Sequence, residues 1–344
     1  MKYPKLLQKG DIIGVCAPSS GISGEKLNER MDNAIFNIKE MGYDVLETES
    51  VRSSEKCVSA DSATRAAEFM SLYENSQVSA ILPPWGGEFL MDILPYLDID
   101  ILKKTSPKWV CGYSDISTLT FVLTVACDIA SLHGSNLMNM GFSGVHETDL
   151  RMFESISKPV TEQQSWDKWG GFTSWVDFSQ EVYKLDKPSL WKALKGEERI
   201  SIDGMMVGGC MDTLCKLIGT RFAPVETFLN KYRKYGFIWT LESCEMNSAD
   251  IYRTLWQMRE CGWFEYCKGI IGRPDGYRDV QDFTLPDALQ QGVGNLNVPV
   301  IYDADIGHIP PQMQIVNGAI GHVEFINGRV RVKQVQLDTI CETP

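Results

Sequence analysis

The sequence predicts an α/β protein in which a parallel sheet, covered by helices on both faces, is followed by a smaller α/β unit rich in β-structure. Three observations favour this class. Short apolar segments alternate with segments of helical periodicity over about the first hundred residues, and strands separated by helices form parallel sheets. A chain of 344 residues with 44% hydrophobic side chains is long enough for one large or two ordinary domains. The stretch AIGHVEFINGRVRVKQ predicts a β-hairpin with Asn327-Gly328 as its turn.

The elements of the first part follow in order. DIIGVCAPS predicts a strand, KLNERMDNAIFNIKEMG a helix that stops at Gly42, and YDVLETES a second strand. ATRAAEFMSLYEN predicts a helix, VSAILPPW a buried strand, and GEFLMDILPYLD a helix interrupted by Pro95. Three loops that follow strands stand out: APSSG, PPWGGE and GYSD. Active groups gather in such loops at the carboxyl ends of parallel strands.

The pattern changes after residue 150. The stretch from Ser165 to Gly196 carries four tryptophans among polar residues and lacks a clear period. We therefore predict a first domain over residues 1–150, a linker or loop over 151–190 and a second domain over 191–344. In the second domain GFIWTLES, KGIIGRP and VPVIYDADIGH predict strands, GMMVGGCMDTLCKLIGT a glycine-rich turn into a helix, and SADIYRTLWQMRECGWF an amphipathic helix.

Composition excludes several classes of function. The net charge of -12 argues against binding to the phosphate backbone of nucleic acids, so we expect no nucleic-acid partner. The amino terminus lacks the apolar core of a secretory signal, and no run approaches the roughly 20 apolar residues that span a bilayer. We expect a soluble cytoplasmic protein without a membrane partner.

The cysteines and glycines exclude two further kinds of site. The ten cysteines include no C-x-x-C pair and only four histidines accompany them, which predicts reduced, mostly buried thiols rather than a zinc site. GDIIGVCAPSSG does not match G-x-G-x-x-G, and no acidic ribose ligand follows at the usual distance. A nucleotide- or flavin-binding protein of the doubly wound class is therefore disfavoured.

The stretch KWVCGYSDIST places Ser114 between an apolar strand and the start of a helix. A serine in that position is most often a cap for the first helical turn. Asp115 and Ser117 are alternative caps, and Gly112 permits a sharp turn, which would leave Ser114 free to act as a nucleophile. The second glycine of G-x-S-x-G is absent, so the turn is not the usual α/β-hydrolase elbow. Both interpretations stay open from the local sequence.

A nucleophilic serine needs a base and a carboxylate that orients the base. His308 follows the strand VPVIYDADIG and precedes a rigid proline-rich loop, which displays its side chain at a strand end. The other three histidines lie after an apolar stretch, in a polar loop and within the hairpin: His133, His146 and His322. Glu242 ends the strand FIWTLE, but Glu245 and Asp250 are nearby competitors, and spacing does not choose among the three acids.

Acyl transfer also needs amide donors directed at the developing oxyanion. Gly86-Gly87 in PPWGGEF lets the backbone approach a substrate closely, and the amide of Asp115 follows the candidate nucleophile. A glycine pair before a helix is also an ordinary turn. Both interpretations of the pair stay open.

Taken together, these segments resemble the LD-carboxypeptidase family of serine peptidases, which includes the microcin C immunity peptidases. The matching segments run over nearly the whole chain: GDIIGVCAPSSG, the helix around Arg65, PPWGGE, GYSD, GGCMDTLCKLIGT, the strand ending in Leu241-Glu242, and DIGH. The resemblance implies a flavodoxin-like amino-terminal domain that carries the serine and a carboxyl-terminal domain that carries the acid and the base.

The resemblance also implies roles for individual residues. Ser114 attacks the substrate carbonyl, His308 takes its proton and returns it to the leaving amine, and Glu242 holds the imidazole. The amides of Gly87 and Asp115 form the oxyanion hole. A homodimer is implied, and neither a metal nor another cofactor takes part.

The expected function is hydrolysis of an amide bond next to a free carboxylate, as in L,D-linked muropeptides. The alternative substrate is a peptidyl or aminoacyl nucleotide, as for the microcin C immunity peptidases. A hypothesis of another class is a non-catalytic protein that binds a small ligand in the same cleft.

Two features differ within the family. Many relatives have asparagine after the second glycine pair, where this chain has Cys210, so a polar contact to substrate or to the interdomain seam is lost. Nothing in the sequence positions Cys210 as a rival nucleophile. The tryptophan-bearing segment corresponds to a loop that helps hold a nucleotide in the microcin branch, so Trp166, Trp169 and Trp175 are candidate substrate contacts, although indoles are also ordinary lid and core anchors.

Overall fold

The computed structural model describes residues 1–171, 179–275 and 278–337. These residues form two main β-sheets with helices packed against them, which confirms the predicted α/β class. Within the three ranges, every cysteine is a free thiol and four of the cysteines are buried. No helix of this part of the chain is long and apolar enough to cross a membrane.

The first sheet is parallel and ends in the loop that carries Ser114. Its strands are β1 (Ile12–Val15), β2 (Asp44–Glu47), β3 (Val78–Ile81) and β4 (Trp109–Val110), in the order β2-β1-β3-β4. A parallel bridge between Cys111 and Leu132 adds β5 (Ser131–His133) beside β4. The resulting order 2-1-3-4-5 is typical of flavodoxin-like sheets, as the resemblance implied.

Helices of the first part follow the predicted pattern. They are α1 (Glu25–Glu40), α2 (Ser62–Glu74), α3 (Ile99–Lys104), α4 (Ile116–Cys127) and α5 (Glu147–Ser157), with 3-10 helices at Glu49–Arg52, Leu90–Tyr96 and Leu137–Met140. The first helix buries Met31, Ala34 and Ile38 on one face. The segment predicted as a helix interrupted at Pro95 is a 3-10 helix that contains this proline, because proline lacks the amide that an α-helical hydrogen bond needs.

The second part of the chain contributes most strands of a larger sheet. In chain order the strands are β6 (Val160–Gln164), β7 (Lys168–Trp169), β8 (Lys187–Pro188), β9 (Lys192–Ala193), β10 (Arg199–Cys210), β11 (Phe237–Ser243), β12 (Cys267–Pro274), β13 (Val300–Tyr302), β14 (Ile315–Asn317), β15 (Ile320–Ile326) and β16 (Arg329–Val335). Eight of them form one sheet in the order β6-β16-β15-β10-β11-β12-β13-β9. Its centre, β10 to β13, is parallel and its flanks are antiparallel. It has more strands than the first sheet, although the second unit was expected to be the smaller.

The α-helices described in this part range from four to thirteen residues in length. They are α6 (Met211–Leu214), α7 (Val225–Tyr232), α8 (Ser248–Glu260) and α9 (Leu285–Val293), with 3-10 helices at Cys215–Leu217 and Gly294–Leu296. The predicted hairpin is confirmed, because β15 and β16 pair through Asn327 and Gly328, whose φ angles of 48° and 84° suit a two-residue turn.

Part of the segment predicted as a linker or loop over residues 151–190 is regular structure. Strand β6 pairs with β16 at the edge of the large sheet, and β7 pairs with β8. The division into domains at residues 150 and 190 stays a prediction.

Helix α4 joins the nucleophile turn to the large sheet. All of its residues except Ala126 are buried. Phe121 stacks on Trp263 with ring centroids 5.3 Å apart and lies 6.2 Å from Trp239 of β11. Because Ser114 precedes this helix and Glu242 belongs to β11, the packing holds the two positions in a constant relation.

Candidate active site

Ser114 lies in a strained turn between β4 and α4. Its φ is 63°, in the left-handed region that residues other than glycine rarely adopt and that is enriched at functional sites. The N-cap position of α4 is Asp115, and no side chain in the described ranges caps this helix. Ser114 is therefore not a helix cap.

The alternative caps, Asp115 and Ser117, have other partners. The carboxylate of Asp115 accepts hydrogen bonds from the Ser19 hydroxyl at 2.5 Å and from the Leu90 amide at 2.8 Å, and burial raises the pKa of Asp115 to about 6. The Ser117 hydroxyl accepts the amide of Cys210 at 3.1 Å. The prediction that one of these two side chains caps α4 is wrong. Each side chain makes its hydrogen bonds to other segments of the chain and not to the first amides of the helix. These bonds instead hold neighbouring loops against the nucleophile turn.

A cleft of about 270 Å³ brings several candidate residues together. It is lined by Ser20, Trp85, Gly86, Gly87, Tyr113, Ser114, Asn136 and His308. A larger groove of about 480 Å³ lies between residues 94–100 and Arg221–Phe222, but its lining has neither a serine nor a histidine. Of these two cavities, only the smaller cleft is lined by both a candidate nucleophile and a candidate base. It is therefore the candidate active site.

The glycine pair packs directly against the nucleophile turn. A Cβ added to Gly86 would lie 2.8 Å from the Ser114 Cβ and 2.9 Å from both the Ser114 Oγ and the amide nitrogen of Asp115. Gly87 has a φ of 150°, and a Cβ there would clash with the hydroxyl groups of Ser19 and Ser20. Glycine is needed at both positions, so that the Ser114 hydroxyl and the Asp115 amide can border this loop closely.

His308 and Glu242 form a buried pair. The Nδ1 of His308 lies 2.9 Å from Oε2 of Glu242, and the two side chains are 11% and 0% exposed. Burial has the largest single effect on the pKa of His308 and lowers it, but the nearby carboxylates of Glu242, Asp275 and Asp212 together raise it by more, so the net shift is upward. Burial likewise has the largest single effect on the pKa of Glu242 and raises it, but His308, His133 and the Cys210 thiol together lower it by more, so the net shift is downward. An ionised carboxylate only accepts hydrogen bonds, so Nδ1 donates and Nε2 is left for a substrate or nucleophile.

The competing acids do not reach His308. Glu245 is exposed, and Asp250 pairs with Arg253 at 2.6 Å on the surface of α8. Strand geometry makes the difference, because Glu242 is still inside β11 with its side chain buried, whereas the competitors follow the strand. The spacing of the three acids along the sequence could not show which of their side chains is buried beside a histidine.

Asp275 holds the loop that carries His308. Its Oδ2 accepts the amide of His308 at 2.6 Å and the amide of Ile309 at 3.2 Å. Its Oδ1 lies 2.7 Å from Nε of Arg273. Burial raises the pKa of Asp275 to about 6 despite this arginine. The sequence gives no signal for this residue, because its role is to bind backbone amides that are distant in the chain.

A second histidine lies behind the pair and was also missed. The Nε2 of His133 lies 3.8 Å from Oε1 of Glu242, and the side chain is 2% exposed. Its Nδ1 lies 3.3 Å from the Ser117 hydroxyl, which accepts the Cys210 amide. Burial lowers the pKa of His133, although Glu242 opposes this, so the neutral ring is favoured. Its place at the end of β5 in SLHGSN is the same signal that selected His308.

The two remaining histidines lie outside the cleft lining. His146 is the N-cap of α5, and its Nδ1 accepts the amide of Thr148 at 3.1 Å. His322 lies on β15, where its Nδ1 is 2.7 Å from Asp203 and its side chain is 40% exposed. Neither residue is close to the candidate nucleophile by these contacts.

Trp166 and Trp169 of the variable segment pack against cationic side chains and are not among the residues that line the cleft. The guanidinium of Arg151 lies 4.0 Å from the centre of the Trp166 ring, and that of Arg273 lies 5.1 Å from the Trp169 ring. Trp175 lies outside the described residues. A contact of these three residues with substrate stays a prediction.

The tryptophan that does line the cleft is Trp85 of PPWGGE. Its Nε1 donates to the Gly21 carbonyl at 3.2 Å, which fixes the ring orientation. Sequence analysis quoted this residue only as part of the glycine loop. Its position directly before the glycine pair was the available signal.

Cys210 lies beside the histidine–glutamate pair. Its Sγ, a Glu242 oxygen and a His308 ring nitrogen all lie within 4.8 Å of one another. The thiol donates to Oδ2 of Asp212 at 3.3 Å. Burial raises the pKa of Cys210 well above its usual value, and a protonated buried thiol is a poor nucleophile.

Comparison with protein families identifies the class to which this fold and site belong. The description "LD-carboxypeptidase N-terminal domain" matches residues 13–134, and "LD-carboxypeptidase C-terminal domain" matches residues 203–323. The chain therefore belongs to the LD-carboxypeptidase family of serine peptidases, as the resemblance indicated. It is a hydrolase of the LD-carboxypeptidase type.

Individual proteins match over nearly their full length. A protein of Bacillus subtilis named as a probable murein peptide carboxypeptidase is 24% identical over 92% of this chain and 89% of its own. The microcin C7 self-immunity protein MccF of Escherichia coli is 24% identical over 97% of this chain and 96% of its own.

Two solved structures share the fold. An MccF-like protein of Bacillus anthracis has a TM-score of 0.83 at 21% identity and covers 98% of this chain and 100% of its own. MccF in complex with aspartyl sulfamoyl adenosine has a TM-score of 0.80 at 19% identity, covering 96% and 97%.

Proposed function

We propose that Ser114, His308 and Glu242 are the nucleophile, base and orienting acid of this hydrolase, with the amides of Gly87 and Asp115 as oxyanion donors. One observation carries the proposal: a buried imidazole–carboxylate pair with an Nδ1–Oε2 distance of 2.9 Å faces the same cleft as a serine held at φ 63°. A strained turn whose hydroxyl lines the same cleft as the histidine of such a pair supports a role in nucleophilic acyl transfer.

The reaction proceeds in two halves. In the first half, Ser114 Oγ bonds to the carbonyl carbon of the substrate while Nε2 of His308 takes the hydroxyl proton. The oxyanion receives the amide donors, the C–N bond breaks, and His308 gives its proton to the leaving amine. In the second half, His308 takes a proton from water as the water oxygen bonds to the acyl carbon. The bond from that carbon to Ser114 Oγ then breaks, His308 returns its proton to Oγ, and the acid leaves. Glu242 stabilises the imidazolium in both halves without itself taking the proton.

The substrate proposed is a small peptide cut next to its free carboxylate, as in an L,D-linked muropeptide. The similarity to a protein named as a murein peptide carboxypeptidase supports this class. The cleft of about 270 Å³ is close to the lower end of small-ligand sites, which suits a short peptide rather than a protein chain.

An aminoacyl or peptidyl nucleotide is the second candidate. It is supported by the similarity to MccF, which has been solved with aspartyl sulfamoyl adenosine. In this chain the ring of Trp85 lies on the cleft and offers a face on which a base could stack. Hydrolysis would use the same three residues, so the two candidates differ in the acyl and leaving groups of the substrate and not in the catalytic groups of the protein.

The proposed function is tested by mass spectrometry of two parallel digests, one of an L,D-linked murein tetrapeptide and one of an aminoacyl sulfamoyl adenosine. The wild type is compared with Ser114→Ala and with Ser71→Ala, an exposed serine on α2 that serves as the matched control. We expect one substrate to be cleaved by the wild type and by Ser71→Ala only. Cleavage by Ser114→Ala at the wild-type rate would refute the assignment of the nucleophile.

Assembly and location complete the proposal. We propose a homodimer in the cytoplasm, with the serine in a domain over residues 1–150 and the acid and base in a domain over residues 191–344. Light scattering of the purified protein tests the dimer, and fractionation of expressing cells tests the location.

A further inference from the structure

The surroundings of the histidine–glutamate pair contain three different metal-binding side chains. In the part of the chain that the structure describes, Cys210, Glu242 and His308 are the one group of three such residues whose ligand atoms lie within 4.8 Å of one another. The three come from the ends of β10 and β11 and from the loop after β13. Cys210 and Glu242 are register partners on adjacent strands, which fixes their separation.

The donor set has the chemistry of a thiophilic divalent cation. Thiolate, imidazole and carboxylate are the three ligand types that zinc uses in proteins, and three protein ligands leave a fourth position for water. A thiolate and a carboxylate carry two negative charges, so Zn²⁺ would neutralise the buried cluster. The Cys210 sulfur is already oriented by Asp212, whose Oδ2 lies 3.3 Å away, and such outer partners commonly support metal ligands.

We propose that Cys210, Glu242 and His308 form an inhibitory site for Zn²⁺ or a similar thiophilic cation. On binding, the Cys210 thiol releases its proton to water and a Zn–S bond forms. The imidazole binds through Nδ1, the nitrogen that faces Glu242, and its proton moves to Nε2. With Nε2 protonated, His308 has no lone pair to accept the Ser114 proton, so the metal stops the reaction.

The cation can reach the site from the cleft. His308 lines the cleft and is 11% exposed, whereas Cys210 and Glu242 lie behind it. Entry therefore requires that the imidazole turn away from Glu242. The ligand atoms, now up to 4.8 Å apart, must also approach the spacing of roughly 3 to 4 Å that bonds of about 2.0 to 2.3 Å to a tetrahedral ion require.

The site is a property of this chain's own cysteine. Without the Cys210 thiolate the pair of His308 and Glu242 offers zinc two strong ligands instead of three. Inhibition by zinc would then be weak.

The binding test uses Co²⁺, whose thiolate complexes absorb through charge transfer from sulfur to metal. Reduced wild type, Cys210→Ser and Cys57→Ser are each titrated with Co²⁺ and then with Zn²⁺ as competitor. Cys57 is exposed, so Cys57→Ser is the matched control for adventitious thiol binding. We expect the absorption in wild type and Cys57→Ser, its loss in Cys210→Ser, and its displacement by Zn²⁺. His308→Gln, which keeps the thiol, should weaken Co²⁺ binding by about 10-fold or more.

The inhibition test rests on the proposed function and is read separately. Each variant's hydrolysis rate in Zn²⁺ is divided by its own metal-free rate, and we expect Cys210→Ser to need about 10-fold more Zn²⁺ for half-inhibition than Cys57→Ser. Equal absorption with and without Cys210 would overturn the site. Cys210-dependent absorption in a protein that cleaves neither substrate would support the site and count against the proposed substrates. Cleavage that Zn²⁺ inhibits equally in both variants would overturn the inhibitory role.

Discussion

Gly86→Ala tests whether the glycine pair builds the catalytic geometry. The φ of Gly86 is not in the left-handed region, so alanine introduces no backbone strain there. Its methyl group would instead lie 2.8 Å from the Ser114 Cβ and 2.9 Å from the Ser114 Oγ and the Asp115 nitrogen. The change is therefore a steric probe of the nucleophile and of one proposed oxyanion donor.

The magnitude follows from these distances. Ordinary contact begins near 3.4 Å, so the methyl group is about 0.5 to 0.6 Å too close to three atoms of a turn that is already strained. Relieving such overpacking costs about 1 to 3 kcal/mol of stability. If the methyl group also displaces one oxyanion donor, kcat falls by about 10² to 10³-fold. The protein should thus stay folded while its kcat falls by a large factor.

Three measurements check this expectation. The hydrolysis rate and labelling of Ser114 by a fluorophosphonate should both fall, whereas thermal unfolding should show a folded protein with a lowered Tm. Gly144→Ala is the control, because the nearest atoms to its added Cβ are 3.2 Å away or more and belong to Glu181 and Val182. Turnover and labelling of Gly86→Ala within about twofold of wild type would refute the steric argument, since donor loss is expected to cost far more.

Three further predictions concern charge and packing. Glu242→Gln should lower turnover and move the acidic limb of the pH–rate profile to lower pH, because Glu242 raises the pKa of His308; an unmoved limb would contradict this cause. Asp275 has a pKa of about 6 instead of 3.8, so its contribution to stability is fully present below about pH 4 and lost as the pH rises through 6. Relative to Asp275→Asn, wild type should lose up to about 3 kcal/mol over that window in chemical denaturation, and a constant difference would disprove the titration. Trp239→Ala should cost about 3 to 5 kcal/mol in urea unfolding, against about 0.5 kcal/mol or less for Trp256→Ala, because Trp239 is fully buried whereas Trp256 is 47% exposed; equal losses would show that burial is not the cause.

Local patterns were sufficient for much of the fold. Alternation of strand and helix predicted the parallel sheet, and Asn327-Gly328 predicted the hairpin turn, because these features depend on neighbours in the chain. The resemblance of several segments to a known family added the identity of that family. The segment around Pro95 was predicted only in part. The sequence indicated a helix with an interruption, but not that Leu90–Tyr96 would form a 3-10 helix.

The environment of each candidate was decided only by tertiary structure. Three acids competed for one role until β11 buried Glu242 at 2.9 Å from His308. His133, Asp275 and Cys210 surround that pair from three different parts of the chain, and no sequence spacing relates them. Periodicity and turn chemistry are local and can be read from sequence, whereas pKa shifts and clusters of ligand atoms arise when distant segments exclude water around the same few atoms.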